Sequence, residues 1–252
     1  MVGEARAAST VILLRDAADG IETYLMRRAT TMAFAPRMHV YPGGRVDESD
    51  YAAPIDFTVA ADQVAALAHR ASTDEAGLVA LYSCAIREIQ EEVGITLVDA
   101  TLDGRLVVDP AALPIADHWV TPELEPKRYD VRFFVAVVPD GQDAELTTTE
   151  ADGAFWVSPA EALRARAAGD MAMLPPTEAT LRYLSGFALA HDVLLDAAHR
   201  PVVPLLPRRL VGSDGVARWA MVHDRTGEVL IEDIEAPHTR ETDGLTFPDH
   251  LS

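Results

Sequence analysis

The sequence predicts an α/β fold, a mixed β-sheet covered by helices on both faces. Three observations carry this expectation. Apolar runs of strand length occupy residues 11–14, 21–26 and 132–138, amphipathic helical stretches lie between and after them, and the two kinds alternate along the chain. With 252 residues and 49% hydrophobic content, the chain suffices for one well-buried domain with an extension and is not disordered in character.

The first two runs flank Asp16-Ala17-Ala18-Asp19-Gly20 and read as a hairpin. Val40-Tyr41-Pro42-Gly43-Gly44-Arg45-Val46-Asp47 is a β-rich run broken by Pro-Gly-Gly, where the chain turns tightly and exposes its backbone. Residues 60–70 are rich in Ala, with Val64, Leu67 and Ala68 at helical spacing, which predicts a short helix. Ser72-Thr73-Asp74-Glu75 then offers capping side chains for a long helix whose Leu78, Leu81, Ala85, Ile89 and Val93 face a core. Gly94 suits a left-handed cap at its end.

The strand at 132–138 turns at Asp140-Gly141, and residues 150–159 read as a strand entering a helix. Helices are expected over 159–168 and 178–194, the second opened by Pro175-Pro176-Thr177. From about residue 199 the composition changes to Pro-rich connections with strand-like pieces at 218–222 and 228–231. A main domain over 1–198 and an extension over 199–252 packed on it are expected. Periodicity leaves open whether the extension adds strands, covers a cleft or exchanges between subunits.

The long helix carries the chemistry. Glu88, Glu91 and Glu92 stand at i, i+3 and i+4, so three carboxylates gather on one side. Like charges so placed repel unless a cation compensates, and Mg²⁺ or Mn²⁺, which take hard oxygen ligands, supply that compensation. A solvated acidic helix face has the same spacing, and it is the glycine turn upstream that tips the reading toward a metal site.

Strand, glycine turn and acidic helix together resemble the Nudix hydrolase signature, Gly-x5-Glu-x7-Arg-Glu-apolar-x-Glu-Glu-x-Gly-apolar. Gly44 matches the first glycine, and Arg87 through Ile95 match the second half at every specified position. Two departures stand out. Asp50 replaces the first Glu, and Arg87 lies 29 positions beyond position 58, where an unbroken motif would put it. An insertion at about 51–76 accounts for the gap and is expected to alter the rim of the site, since lengthening a loop costs little entropy while its ends stay close. The approach Tyr24-Leu25-Met26-Arg27-Arg28, the stretch from Phe34 to Gly44, His118-Trp119-Val120-Thr121-Pro122, the stretch from Arg128 to Phe134, and that from Glu150 to Pro159 are similar to the coenzyme A diphosphatase branch, particularly its peroxisomal animal members.

The resemblance implies an α/β/α sandwich with the box interrupted, and metal-dependent hydrolysis of a nucleoside diphosphate linked to another moiety. Coenzyme A or acyl-coenzyme A leads. An ADP-ribose or NADH-type pyrophosphatase, and a catalytically silent module that senses a nucleotide, remain alternatives. It implies Mg²⁺ or Mn²⁺ held by Glu88, Glu91 and Glu92, with the Gly44 carbonyl and Asp50 joining the set, Asp50 directly or through water. The general base falls among Glu88, Glu91, Glu92 and Glu150, and Arg87 orients a glutamate. Arg27, Arg28 and Arg37, with Gly43 and Gly44, are candidate diphosphate contacts, each arginine serving equally well in a surface ion pair. Phe34, Tyr41 and Trp119 suit an adenine or pantetheine pocket or the core.

Composition narrows the class further. With 21 basic and 40 acidic residues the net charge is −19, which disfavours nucleic acid because no basic tract offers counterion release, yet allows a small anionic substrate beside bound metal. The single Cys84 excludes an internal disulfide framework and reads as a small core residue. With no signal-like or membrane-spanning stretch and no terminal Ser-Lys-Leu, a cytoplasmic, bacterial-type protein without membrane association is expected, and a homodimer is left open. His223, His238 and His250 lack metal-ligand spacing and are expected to be solvated.

Overall fold

The computed structural model describes residues 3–32, 35–101, 103–211, 217–234, 239–241 and 244–246. Phe34, His238 and His250 therefore lie outside the described residues. In chain order the elements begin with β1 (Arg6–Ala17), β2 (Gly20–Arg28), β3 (His39–Val40) and β4 (Gly43–Arg45). A 3-10 turn (Glu48–Ala52), β5 (Ile55–Phe57), α1 (Ala61–Arg70) and α2 (Glu75–Val93) follow. Next come β6 (Leu106–Val108), β7 (Ile115–Val120), β8 (Tyr129–Val137) and β9 (Ala151–Val157). The chain then forms α3 (Pro159–Ala168), α4 (Pro175–Leu184), α5 (Ala190–His199), β10 (Pro204–Val211), β11 (Ala217–His223) and β12 (Val229–Ile234).

Ten strands among the described residues share one mixed sheet, ordered β12-β11-β10-β7-β8-β1-β2-β3, with β4 pairing β1 and β9 pairing β2. β1 runs parallel to β8 and β10 parallel to β7, while the hairpins are antiparallel. Because β1 is central, both of its faces are covered, and its apolar residues need not alternate with polar ones. Val11 and Leu13 pack with α1 and α2, whereas Ile12 and Leu14 pack with α3, α4 and α5. The expected α/β/α layering is thus observed.

α2 begins where Asp74 accepts a hydrogen bond from Gly77 N–H and ends at Gly94 with φ of 70°. The inserted helix α1 covers the same sheet face, and Arg70 in its last turn donates to the carbonyls of Ile115, Ala197 and Arg200. One guanidinium thereby caps the end of α5 and fastens the insertion across the end of β7. The helix expected over 178–194 is instead two helices. Thr177, Leu181 and Leu184 keep one apolar face, but the chain turns at Ser185-Gly186-Phe187, and Asp16 caps a new helix by accepting from Ala190 N–H at 2.7 Å. The strand-like pieces of the C-terminal part join the main sheet beyond β7. No described helix is long and apolar enough to cross a membrane.

Candidate active site

The site forms where β4 replaces β2 alongside the first half of β1. Gly43 pairs with Thr10 and Gly44 with Ser9, while α2 packs behind this ribbon. Gly43 has φ of 150°, and a Cβ there would lie 2.3 Å from Ser9 O and 2.6 Å from Thr10 Cα. A Cβ on Gly44 would lie 2.2 Å from Glu88 Oε1. Gly43 is therefore required by close backbone packing, whereas a side chain at Gly44 would displace the Glu88 carboxylate, and the two missing side chains form a gap through which the α2 carboxylates reach the cleft.

That cleft has a volume of about 580 Å³, within the range of small-molecule sites, and Glu88, Glu91, Glu92 and Glu150 all line it together with Gly43, Gly44 and Arg28. Glu92 is 8% exposed and accepts from Gly43 N–H at 2.8 Å. Burial raises its carboxyl to about 8, helped by the charges of Glu88 and Glu150 and opposed by the Gly43 N–H and Arg28. Glu88 is likewise raised, chiefly by burial, against the pull of Arg87. Two carboxylates so placed are short of positive charge.

Arg87 organises the cluster from the side. Its Nη1 donates to Glu88 Oε1 at 2.7 Å and Glu91 Oε2 at 3.2 Å, and its Nη2 to Asp50 Oδ2 at 2.9 Å. Asp50 is 2% exposed, and its other oxygen accepts from Ser83 Oγ at 2.8 Å and Arg87 Nε at 3.3 Å. Burial alone would raise Asp50, but Arg87, Asp47 N–H and Ser83 outweigh it and hold the carboxyl below its usual range. The expectation of Asp50 as a metal ligand is corrected here. Both of its oxygens are taken by protein donors, and it does not line the cleft.

Two of the three arginines also depart from expectation. Arg27 points away from the cleft and pairs with Asp152 at 2.6 Å, since neighbouring strand residues face opposite sides. Arg37 is an exposed turn residue with φ of 64°, outside the cleft lining. Arg28 lines the cleft, as do the buried Tyr41 and Trp119. Cys84 is buried with Sγ 3.4 Å from Gly44 O, and burial pushes its thiol up to about 12, so it behaves as a core residue. His223 is not simply solvated, because Nδ1 accepts from the Arg225 and Thr226 N–H groups.

Sequence reasoning missed Thr10, Leu174, Pro175, Pro176, Thr177 and Pro207, all in the cleft lining. The Pro-Pro-Thr helix start was the only one of these to leave a signal in the sequence, and that signal speaks of helix geometry alone.

The donor set suits a hard divalent cation. Among the described residues no three acidic, imidazole or thiol side chains are already closed into ligand geometry. Yet four glutamates share one cleft, two of them raised by burial, and all offer oxygen.

Comparison with known proteins agrees with this arrangement. The NUDIX domain profile matches residues 68–176, from within α1 to the start of α4. The chain is 27% identical over 189 residues to nudix hydrolase 7 of Caenorhabditis elegans, covering 71% of this chain and 60% of that protein. It is 25% identical to the human protein named acyl-coenzyme A diphosphatase NUDT19, covering 86% of this chain and 74% of the other. The crystal structure of a NUDIX hydrolase from Alicyclobacillus acidocaldarius superposes with a TM-score of 0.65 at 26% identity, covering 80% of this chain and all of that one.

Proposed function

We propose, on the NUDIX domain match over residues 68–176 and the likeness to a solved NUDIX hydrolase, that this chain is a Nudix protein and a divalent-metal-dependent hydrolase of diphosphate bonds in nucleotide derivatives. The observation that carries this reading is the convergence of Glu88, Glu91, Glu92 and Glu150 on one cleft beside the glycine ribbon. Glu88, Glu91 and Glu92 would hold the metal, Mg²⁺ or Mn²⁺, with the Gly44 carbonyl as a further oxygen donor. A divalent cation bound among these oxygens supplies charge neutralisation for the diphosphate and acidifies a water.

The protein's own work is positioning and proton transfer. Arg28 faces the diphosphate, and the Gly43–Gly44 backbone lets it approach closely. Arg87 fixes the rotamers of Glu88 and Glu91 rather than touching substrate. Glu150, across the cleft, takes the proton of the water that attacks phosphorus, the bridging P–O bond breaks, and the second phosphate leaves.

Coenzyme A or acyl-coenzyme A is the substrate we favour, supported by the name of the human relative and by the aromatic pair Tyr41 and Trp119 in the cleft. The test is turnover of coenzyme A, acyl-coenzyme A, ADP-ribose, NADH and dinucleoside polyphosphates with Mg²⁺ or Mn²⁺. Glu91→Gln and Glu92→Gln are expected to lower turnover by two or more orders of magnitude while the thermal transition persists. Unchanged turnover in both variants overturns the site assignment. Thermal stabilisation by one of these compounds without hydrolysis favours a sensing module instead.

A further inference from the structure

The last four carbonyls of α2 find no partner inside the helix, and the loop before β9 supplies most of the donors they need. Gln90 O accepts from Gly94 N–H at 3.2 Å. Val93 O accepts from Glu145 N–H at 3.0 Å, Glu92 O from Thr147 N–H at 2.9 Å and Glu91 O from Thr147 Oγ1 at 2.5 Å. Just upstream the Gln142 amide clasps the Thr96 backbone, accepting from its N–H at 2.8 Å and donating to its carbonyl at 3.0 Å. Thr147 is exposed, yet it is bonded twice to the backbone of the two glutamates, Glu91 and Glu92, that line the cleft from this end of the helix.

Glu150 lies three residues farther on. Three residues span at most about 11 Å, so this staple limits how far Glu150 can stray from α2. On the other side, Glu150 O accepts from Ala29 N–H at 2.8 Å, and Ala151 pairs with Arg28. The Glu150 N–H itself donates to Thr148 Oγ1 at 3.1 Å. Glu150 is thereby strung between the acidic helix and the cleft arginine, close enough that its charge bears on Glu88 and Glu92.

We infer that Thr147 is a positioning residue for the reaction, whose two bonds to the end of α2 set the distance between the Glu150 carboxylate and the carboxylates of that helix. The inference deepens the role proposed for Glu150 and rests on it. An exposed hydroxyl contributes little to the stability of a fold, whereas misplacing a reacting group by about 1 Å can cost on the order of 100-fold in rate. The hydroxyl of Thr147 therefore matters to the cleft through Glu150, which it does not touch, and the backbone carbonyls of Glu91 and Glu92 are the fixed points from which Glu150 is measured.

The test is a double-mutant cycle of Thr147→Val and Glu150→Gln, assayed with Mn²⁺ and whichever of the five compounds named above is turned over fastest. Valine keeps the shape and the N–H bond and removes only the hydroxyl bond to Glu91 O. Thr147→Val is expected to lower kcat about tenfold or more with KM within about twofold and the thermal transition intact, and Thr147→Ser to return kcat to within about threefold of the wild type. In the Glu150→Gln background the same Thr147→Val change should alter kcat by less than about twofold, because the group it positions is gone. Hydrogen exchange of the metal-free protein gives a readout without turnover. Amides over 145–150 should exchange faster in Thr147→Val than in the wild type or Thr147→Ser. Wild-type kcat in Thr147→Val, an undiminished loss in the Glu150→Gln background, or unchanged exchange overturns the inference and leaves the role of Glu150 standing. Wild-type kcat in Glu150→Gln alone, or a wild-type chain that hydrolyses none of the five compounds, instead refutes the premise and the inference with it.

Discussion

Asp50 and Arg87, 37 positions apart, form a two-pronged pair in which Nη2 reaches Oδ2 at 2.9 Å and Nε reaches Oδ1 at 3.3 Å. The pair clasps the two ends of the motif across the inserted segment. It also transmits position, because the same guanidinium holds Glu88 and Glu91. Supports of this kind typically account for 10- to 100-fold in metal affinity or activity. Asp50→Ala is therefore expected to raise the Mn²⁺ concentration giving half-maximal activity by about that factor. A Mn²⁺ titration of activity beside the wild type checks it, and an unchanged midpoint would show that Arg87 keeps its post unaided.

The two glycines are expected to fail differently. In Gly44→Ala the Cβ meets the far end of the flexible Glu88 side chain, so the carboxylate swings aside. Activity should fall roughly 100-fold with little change in melting temperature. In Gly43→Ala the Cβ meets backbone at a positive φ, which no side-chain motion relieves. That variant should lose about 2–4 kcal/mol of stability. Thermal melts beside initial rates separate the two effects.

Glu92→Gln should stabilise the fold while abolishing activity. Glu92 is raised from 4.5 to about 8 in the native state, so between those values the folded chain binds more protons than the unfolded one. Stability therefore falls as pH rises through that window and levels off above it. At about 1.4 kcal/mol per pH unit the gross effect is several kcal/mol. Removing the group should lift the melting temperature by roughly 5 °C at pH 8 and by little at pH 4.5. Part of the slope should remain, because Glu88 is raised too. Melting curves of both proteins across this range decide the matter.

Arg27 and Arg28 are sequence neighbours with opposite fates. Arg27→Ala should change kcat/KM less than about twofold, because it removes only an exposed ion pair with Asp152. Arg28→Ala should raise KM for a diphosphate substrate about tenfold or more with the fold intact. Steady-state kinetics of the two variants side by side distinguish a cleft arginine from a surface one.

The sequence carried the local features well. The cap at Asp74, the stop at Gly94, the apolar back of α2 and the hairpin of β1 and β2 each depend on residues within a few positions of one another, where spacing is informative. What it concealed was long-range. Nothing near Asp50 signals that Ser83 and Arg87 would close over it, and nothing near Pro207 signals that β10 would lie beside Trp119's strand. The break between α4 and α5 was hidden for another reason. The apolar spacing of Leu181, Leu184, Val193 and Ala197 is helical on both sides, and only Asp16, far upstream, supplies the second cap.

The position of Cys84 gives the protein an internal reporter. The chain has a single thiol, sealed between α2 and the glycine ribbon and pushed to about 12 by burial. It can meet an alkylating reagent only when that contact parts, so the rate of modification measures how often the helix and ribbon separate. Ligands that knit the two together should slow the labelling, which lets occupancy of the site be followed by mass spectrometry with no tag and no turnover.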